Sequence, residues 1–179
     1  MLVAKEIIKQ SPKRHVDIGS RVDGFIAHLA SVRKVEVFDI RPLTSEIENV
    51  QFTQWDITDP NPALIGSADC VSCLHTLEHI GLGRYGDKLD PNGWEIGLQS
   101  LVDLVAPGGG LLWLSVPIGI QRIEFNAHRI FNPLTIINSA NKLGVTLERF
   151  FYLTELGFIE SSNIYEDASS LAAKGYGLG

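Results

Sequence analysis

Short apolar segments alternate along this chain with segments whose apolar residues recur every three or four positions. One of the short segments, Ala68–His75, is mostly apolar and lacks the polar alternation of a half-exposed strand, which indicates a strand covered on both faces. The periodic segments are predicted to be amphipathic helices, as in the series Val22, Phe25, Ile26 and Leu29. Alternating strands and helices form a mostly parallel sheet with helices on both faces. The sequence therefore predicts an α/β fold with a doubly wound sheet.

The predicted elements make up one domain over residues 1–179, because no linker or internal repeat divides the chain. Helices are expected over Leu2–Gln10, near Val22–Leu29, over Leu98–Val105, and between an Asn132-Pro133 cap and Gly144. The chain ends in a glycine-rich segment that is too short for a final strand, so a seventh strand is absent or lies within Phe158–Tyr165. The six predicted strands are His15–Ser20, Val35–Asp39, Val50–Trp55, Ala68–His75, Leu111–Val116 and Val145–Leu153.

The composition disfavours membrane-spanning, nucleic-acid-binding and secreted proteins. The chain has 179 residues with a net charge of −6, and none of its apolar runs approaches the roughly 20 residues that span a bilayer. The acidic balance disfavours a general nucleic-acid binder. The first residues lack the basic flank and long apolar run of a signal peptide, so a cytoplasmic protein without membrane contact is expected.

Acidic and glycine residues follow the first three predicted strands. The first strand carries Asp17 and ends in Gly19 and Ser20, the second ends in Asp39, and the third is followed by Asp56. In an open parallel sheet, ligands bind beyond the carboxyl ends of the strands. A glycine lets the backbone approach a ligand closely, and an acidic residue about 20 positions later can accept hydrogen bonds from ribose hydroxyls. Each residue alone is more typical of a cap or turn, but together they favour a nucleoside site.

In these segments the sequence resembles the class I S-adenosylmethionine (SAM)-dependent methyltransferases. The matching stretches are VDIGS, VFDI, QWDIT, DCVSCLHTLEHI and LVAPGGGLLWLSVP, and LEHIGLGRYGD with NAHRIFNP resembles a subgroup known only as a domain of unknown function. The resemblance implies a Rossmann-like methyltransferase fold with SAM as cofactor. It implies that the methionine end is held by Asp17, Gly19 and Ser20, the ribose by Asp39, the adenine by Asp56 and Ile57, and that Leu74 and His75 line the methyl donor.

The glycine loop departs from the pattern of this family. Arg21 and Asp23 stand where the family has its second and third glycines. The Arg21 side chain either obstructs the cofactor or pairs with its carboxylate in a charge-assisted contact. The sequence leaves these two alternatives open.

Candidate catalytic and substrate-binding residues follow the fourth and fifth predicted strands. Glu78 and His79 come after the fourth strand, and His128 follows the fifth, so His79 or His128 is the candidate base for a hydroxyl acceptor. Arg122 and Arg129 are candidates for binding an anionic group of the substrate. Tyr85 lies in a polar glycine-rich loop at residues 81–87, which we interpret as a lid over the substrate.

Two cysteines, Cys70 and Cys73, lie inside one predicted strand. Positions three apart on a strand point to opposite faces, so we expect core packing and neither a disulfide nor a metal site.

Three hypotheses about function follow. The first is a SAM-dependent methyltransferase of a small-molecule or sugar-like acceptor, with the oligomeric state left open. The second is a catalytically silent SAM-binding module or partner subunit, which the altered glycine loop favours. A nicotinamide-dependent oxidoreductase is disfavoured because the loop lacks Gly-x-Gly-x-x-Gly.

Overall fold

The computed structural model describes residues 2–124 and 127–175, together with the backbone of residues 177–178. Its helices are α1 (Leu2–Gln10), α2 (Phe25–Ala30), α3 (Gly93–Leu104), α4 (Pro133–Lys142) and α5 (Ile164–Ala172), with short 3-10 turns at Pro62–Leu64 and Leu77–His79. Its strands are β1 (His15–Ile18), β2 (Val35–Asp39), β3 (Val50–Gln54), β4 (Cys70–Leu74), β5 (Leu111–Ser115), β6 (Pro117–Ile118), β7 (Arg122–Glu124), β8 (His128–Ile130), β9 (Phe151–Thr154), β10 (Gly157–Glu160) and β11 (Gly177–Leu178).

A five-stranded parallel sheet forms the centre of the fold. Its strand order is β3-β2-β1-β4-β5, which confirms the predicted α/β architecture. The chain turns outward in one direction through β1, β2 and β3 and then crosses back to β4 and β5, so the order reverses between β1 and β4. The carboxyl ends of all five strands lie at one edge, where this reversal opens a crevice.

Helices cover both faces of this sheet. On one face Ile7 of α1 and Leu29 of α2 pack with Cys70. On the other face Leu98 and other residues of α3 pack in a second cluster that contains Cys73. The two cysteines are thus buried in separate clusters on opposite faces, as their spacing predicts.

The start of α4 follows the sequence signal closely. The side chain of Asn132 accepts a hydrogen bond from the backbone N–H of Leu134, and Pro133 occupies the first helical position. Gly144, just beyond the last turn, has φ +83°, the left-handed conformation typical of a residue that ends a helix.

The predicted sixth strand is wrong in its extent and its partner. Residues 145–150 form no strand, and β9 pairs antiparallel with β10 rather than joining the parallel sheet. A two-residue turn closes this hairpin: the Thr154 hydroxyl donates to the Gly157 carbonyl and accepts from the Leu156 N–H, and Gly157 has φ +112°. Local pairing across so short a turn costs little chain entropy, whereas joining the central sheet requires a long crossover.

The chain end differs from expectation in a second way. The expected seventh strand at Phe158–Tyr165 is confined to β10, and the two residues of β11 pair antiparallel with β6. Among the helices of the described residues, none has the length and apolar character needed to cross a membrane.

Candidate functional site

A cavity of about 430 Å³ opens at the carboxyl ends of the central strands. Its walls come from the residues that follow β1, β2, β3 and β4 and from the loop at residues 81–87, so it lies where the strand order reverses. The residues that line it are Ile18, Gly19, Ser20, Arg21, Asp23, Gly24, Phe25, Phe38, Asp39, Ile40, Arg41, Trp55, Asp56, Ile57, Leu74, His75, Thr76, His79, Ile80, Tyr85 and Asp87.

Gly19 forms the tight turn at the end of β1. It has φ +77°, and its N–H donates to the Phe38 carbonyl at 2.8 Å. A Cβ added at this position would lie 2.4 Å from Cγ2 of Thr76. Only glycine fits both the backbone conformation and the space, which lets the chain turn close against the residues after β4.

Asp17 lies behind the cavity wall and is fully buried. Its Oδ2 accepts from the Ser72 hydroxyl at 2.6 Å, and its Oδ1 accepts from the Ser20 N–H at 3.1 Å. Burial raises the pKa of Asp17 to about 6, against the opposing effect of these hydrogen bonds. In this position the carboxyl group supports the turn that carries Gly19 and Ser20.

A buried histidine completes a network that the sequence did not indicate. His15 Nε2 lies 2.8 Å from the Ser72 hydroxyl oxygen. Since Ser72 donates its proton to Asp17, His15 must donate from Nε2, and its Nδ1 is buried without a hydrogen-bond partner. Burial lowers the pKa of His15 to about 4, so the imidazole is neutral at physiological pH.

Arg21 and Asp23 pair with each other at the mouth of the cavity. The shortest distance between the guanidinium and the carboxylate is 2.5 Å, and both side chains are largely exposed. The two residues that replace the family's glycines therefore line the cavity as an ion pair at its rim.

Asp39, the predicted ribose ligand, is already engaged by an arginine. Arg41 Nε donates to Asp39 Oδ1 at 3.0 Å and its terminal nitrogen donates to Oδ2 at 2.5 Å, so the pair is bidentate. The same guanidinium lies 5.0 Å from the centre of the Tyr85 ring. Sequence reasoning missed this contact, although Arg41 stands only two residues after Asp39.

The wall beyond β3 combines one carboxylate with apolar side chains. Asp56 Oδ1 accepts from the backbone N–H and the hydroxyl of Thr58, at 2.9 and 2.8 Å. Trp55 packs edge-on against Phe38 with ring centres 5.8 Å apart, and Ile57 is buried beside them. Trp55 and Phe38 were not predicted site residues, although both stand at strand ends.

The end of β4 places Leu74 and His75 in the cavity wall. His75 has φ +56°, a strained conformation for a residue with a side chain, and such strain is common at functional sites. Its Nδ1 lies 3.3 Å from Oε1 of Glu78. Glu78 is 2% exposed and does not line the cavity, and its Oε2 is buried without a hydrogen-bond partner.

His79 is the candidate base that the structure brings to the cavity. Its Nδ1 lies 2.9 Å from the Ala127 carbonyl oxygen, so Nδ1 carries the proton and Nε2 is the acceptor in the neutral ring. Burial lowers the pKa of His79, which favours this neutral form. His128, the other candidate, packs edge-on against His79 at 6.0 Å between ring centres and lies outside the cavity lining.

The two arginines predicted to bind substrate do not line the cavity. Arg129 is buried, and its guanidinium donates to the carbonyl oxygens of Ile80 and Pro91, which flank the loop at residues 81–87. Burial lowers the pKa of Arg129 from its ordinary value. Arg122 pairs with Glu124 at 2.6 Å.

The predicted lid is an ordered loop against the cavity. Asp87 Oδ2 accepts from the N–H groups of Gly81 and Gly83, at 2.7 and 3.1 Å, and Oδ1 accepts from Tyr85 N–H at 3.2 Å. The Tyr85 ring lies in the cavity wall and contacts His79 edge-on at 5.4 Å between ring centres. Within the described part of the chain, no group of three or more His, Cys, Asp or Glu side chains could hold a metal ion.

Solved structures with this fold include a methyltransferase and a domain determined in the presence of SAH. The 1,6-didemethyltoxoflavin-N1-methyltransferase of Burkholderia thailandensis, with bound 1,6-didemethyltoxoflavin and S-adenosylhomocysteine (SAH), is 13% identical with a TM-score of 0.58 over 83% of this chain and 69% of its own. The N-terminal domain of EvdMO1, in the presence of SAH and D-fucose, is 13% identical with a TM-score of 0.59 over 99% of this chain and 80% of its own.

A third similar structure is the [4+2]-cyclase SpnF, 12% identical with a TM-score of 0.58. This chain spans only 54% of its length, while 77% of this chain is covered. At such identities the likeness shows a shared fold. A search of curated proteins found no match.

The sequence profile of one family matches residues 24–141, which is more than half of the chain. That family is described as "Caenorhabditis protein of unknown function, DUF268". The matched range includes the ends of β2, β3 and β4 and the loop at residues 81–87. The chain therefore belongs to the DUF268 family, and its fold is that of the class I SAM-dependent methyltransferases.

Proposed function

We propose that this protein is a SAM-dependent methyltransferase that acts on a small-molecule or sugar-like acceptor. The observation that carries the proposal is the cavity itself. Carboxylates stand at the ends of β2 and β3, apolar side chains lie between them, and His79, whose pKa is lowered by burial, lines the cavity in the turn after β4. Its volume of about 430 Å³ falls within the range of small-molecule sites.

The residues of the cavity fit the parts of SAM in order. Asp39 accepts from the ribose hydroxyls, and Asp56 accepts from the adenine amino group between the apolar walls formed by Phe38 and Ile57. The backbone of Gly19 and Ser20 receives the methionine end, supported from behind by Asp17. When bound, SAM supplies a methyl group on a positively charged sulfur.

His79 serves as the base for a hydroxyl acceptor. The Ala127 carbonyl fixes its tautomer, so Nε2, which lies 4.0 Å from Glu78 Oε1, would accept the proton of an acceptor hydroxyl. Bound SAM would supply the methyl group to the acceptor oxygen and leave as SAH. Positioning supplies much of the remaining rate enhancement in such an in-line displacement. A sugar-like acceptor is consistent with the similar EvdMO1 domain, whose structure was determined in the presence of D-fucose.

The second candidate function is a catalytically silent SAM-binding module or partner subunit. Two observations favour it: Arg41 pairs with the carboxylate expected to hold the ribose, and the Arg21–Asp23 pair stands at the rim where the family has glycines. A module of this kind binds SAH without transferring a methyl group.

A labelled-methyl assay separates these functions. The protein is incubated with methyl-labelled SAM and a panel of deoxysugars, phenols and amines, and both SAH release and labelled product are measured. We expect acceptor-dependent transfer, with His79→Gln lowering turnover by about 10²- to 10⁴-fold while SAH affinity is retained.

The matched control is His28→Gln, which changes an exposed histidine of α2 outside the cavity and leaves turnover unchanged. SAH binding without transfer to any acceptor on the panel supports the silent module. The absence of SAH binding contradicts both functions.

A further inference from the structure

Arg41 connects three walls of the cavity. Its guanidinium forms the bidentate pair with Asp39 at the end of β2 and donates to the Gly19 carbonyl at the end of β1, at 3.3 Å. It also lies 5.0 Å from the Tyr85 ring centre, within the range of a cation–π contact. No other described residue of the cavity wall forms a bidentate pair with Asp39.

The pair leaves too few acceptor positions for a ribose. Each carboxylate oxygen has about two positions for an incoming hydrogen. Asp39 Oδ1 already accepts from the Arg41 backbone N–H at 2.8 Å and from its Nε at 3.0 Å, and Oδ2 accepts one further hydrogen bond. One position remains, whereas two adjacent ribose hydroxyls need two.

We propose that Arg41 is an internal competitor for the ribose at Asp39, and that a nucleoside displaces it and thereby removes one of the two guanidinium contacts of the Tyr85 ring, the other being Arg84 at 5.7 Å. This inference rests on the proposed function, because it concerns the same nucleoside site. When two ribose hydroxyls donate to Asp39, Arg41 Nε and its terminal nitrogen lose their acceptor and the guanidinium leaves the Tyr85 ring. Tyr85 also contacts His79 edge-on, so loss of the Arg41 contact loosens the ring that lies against the candidate base. Arg41 thus determines both the affinity for a nucleoside and access to His79.

The first test measures SAH affinity by calorimetry in Arg41→Met. Removing a charge-assisted competitor should lower the dissociation constant about tenfold, which corresponds to about 1.4 kcal/mol. The control is Arg14→Met, because Arg14 forms an equally bidentate pair with Glu36 of β2 outside the cavity. Arg14→Met should leave the SAH dissociation constant unchanged.

A pair of nucleosides makes the test specific to the ribose hydroxyls. Arg41→Met should strengthen the binding of adenosine and leave that of 2′,3′-dideoxyadenosine unchanged. Weaker SAH binding in Arg41→Met would show that Arg41 is a ligand contact and would overturn the proposal. Arg41→Lys, which keeps one charge without the planar fork, serves if Arg41→Met does not fold, and should give an intermediate gain.

A second test follows the loop at residues 81–87 by hydrogen exchange, without and with SAH. Hydrogen exchange of residues 81–87 should be faster in Arg41→Met than in the wild type and unchanged in Arg14→Met, and SAH should accelerate it in the wild type. Unchanged exchange in Arg41→Met would overturn the link to Tyr85.

The affinity measurements separate failure of this inference from failure of the proposed function. Equal SAH affinity of Arg41→Met and the wild type overturns the competition between Arg41 and the ribose and leaves the proposed function intact. The absence of SAH binding by both proteins contradicts the proposed function itself.

Discussion

At the scale of single residues, the turn at Gly19 combines a positive φ with a close contact to Thr76. Gly144 has a similar φ, +83° against +77°, but a Cβ there would meet nothing within 4 Å. The two glycines therefore separate the cost of backbone conformation from the cost of the clash. Both kinds of strain are measurable in the free energy of unfolding.

We predict that Gly19→Ala destabilises the protein by about 2 kcal/mol more than Gly144→Ala, because only the first adds a clash to the unfavourable φ. The measurement is urea unfolding of both variants. Adding Thr76→Ala to Gly19→Ala should recover part of the difference. Equal destabilisation by the two glycine substitutions would show that the turn can widen away from Thr76.

Two further residues, Asp17 and His15, make opposite contributions to the pH dependence of stability. The pKa of Asp17 is about 6 in the fold, against 3.8 for an ordinary aspartate. Between these pH values the folded state keeps a proton that the unfolded state has lost, so the free energy of unfolding falls as pH rises. The pKa of His15 is about 4 in the fold, against 6.5 for an ordinary histidine. Its contribution to the free energy of unfolding therefore increases as pH rises between about 4 and 6.5.

Asp17→Asn removes only the first contribution. Because a difference of about two pH units corresponds to about 3 kcal/mol, the stability of the wild type relative to Asp17→Asn should fall by about that amount from pH 4 to pH 7. Chemical unfolding at several pH values measures it. Parallel curves for the two proteins would mean that Asp17 is ionised as readily in the fold as in the unfolded chain.

At the scale of elements, the β7–β8 hairpin holds the loop at residues 81–87 in place. Arg129 of β8 donates to carbonyls at both flanks of that loop, and His79 donates to Ala127 in the turn of the hairpin. The hairpin thus positions both the loop and the candidate base. Arg122, on the neighbouring strand, pairs with Glu124 and donates to the Ile120 carbonyl, which lies outside that loop.

Arg129→Met should therefore lower the free energy of unfolding by about 2–4 kcal/mol, since it leaves two carbonyl oxygens without their charged donor. Arg122→Met, the matched change on β7, should cost less than about 1 kcal/mol, as for exposed ion pairs. Denaturant unfolding compares the two. An Arg129→Met protein of unchanged stability but impaired methyl transfer would favour the substrate contact predicted from the sequence.

The elements also show which structural signals the sequence carries. The Asn132-Pro133 cap is local, so it could be predicted from neighbouring residues. The β9–β10 hairpin was missed because the apolar run Val145–Leu153 is compatible with a sixth parallel strand. The turn at Thr154–Gly157 favours the hairpin through the two hydrogen bonds of the Thr154 hydroxyl. These bonds exist only in the folded turn, so the sequence pattern does not reveal them.

At the scale of the whole molecule, the sheet order brings the ends of β1, β2, β3 and β4 to one cavity. Asp39 and Asp56 could be predicted because their positions follow from where the strands end. The Arg41 contact could not, because a long side chain can reach several partners, and here it contacts Asp39, the Gly19 carbonyl and the Tyr85 ring. The position of Tyr85 in turn depends on Asp87 and on Arg129, distant in sequence.

The central claim is that this cavity binds SAM. Thermal unfolding of the protein with SAM, SAH or NAD, after mass spectrometry has checked for carried-over ligand, tests it most directly. A ligand at about a hundredfold its dissociation constant stabilises the folded state by about 2.7 kcal/mol, which raises Tm by about 5–10 °C in a domain of this size. We predict that rise with SAM and SAH and none with NAD. A protein free of carried-over ligand whose Tm does not rise with SAM or SAH, or rises equally with NAD, would contradict the claim.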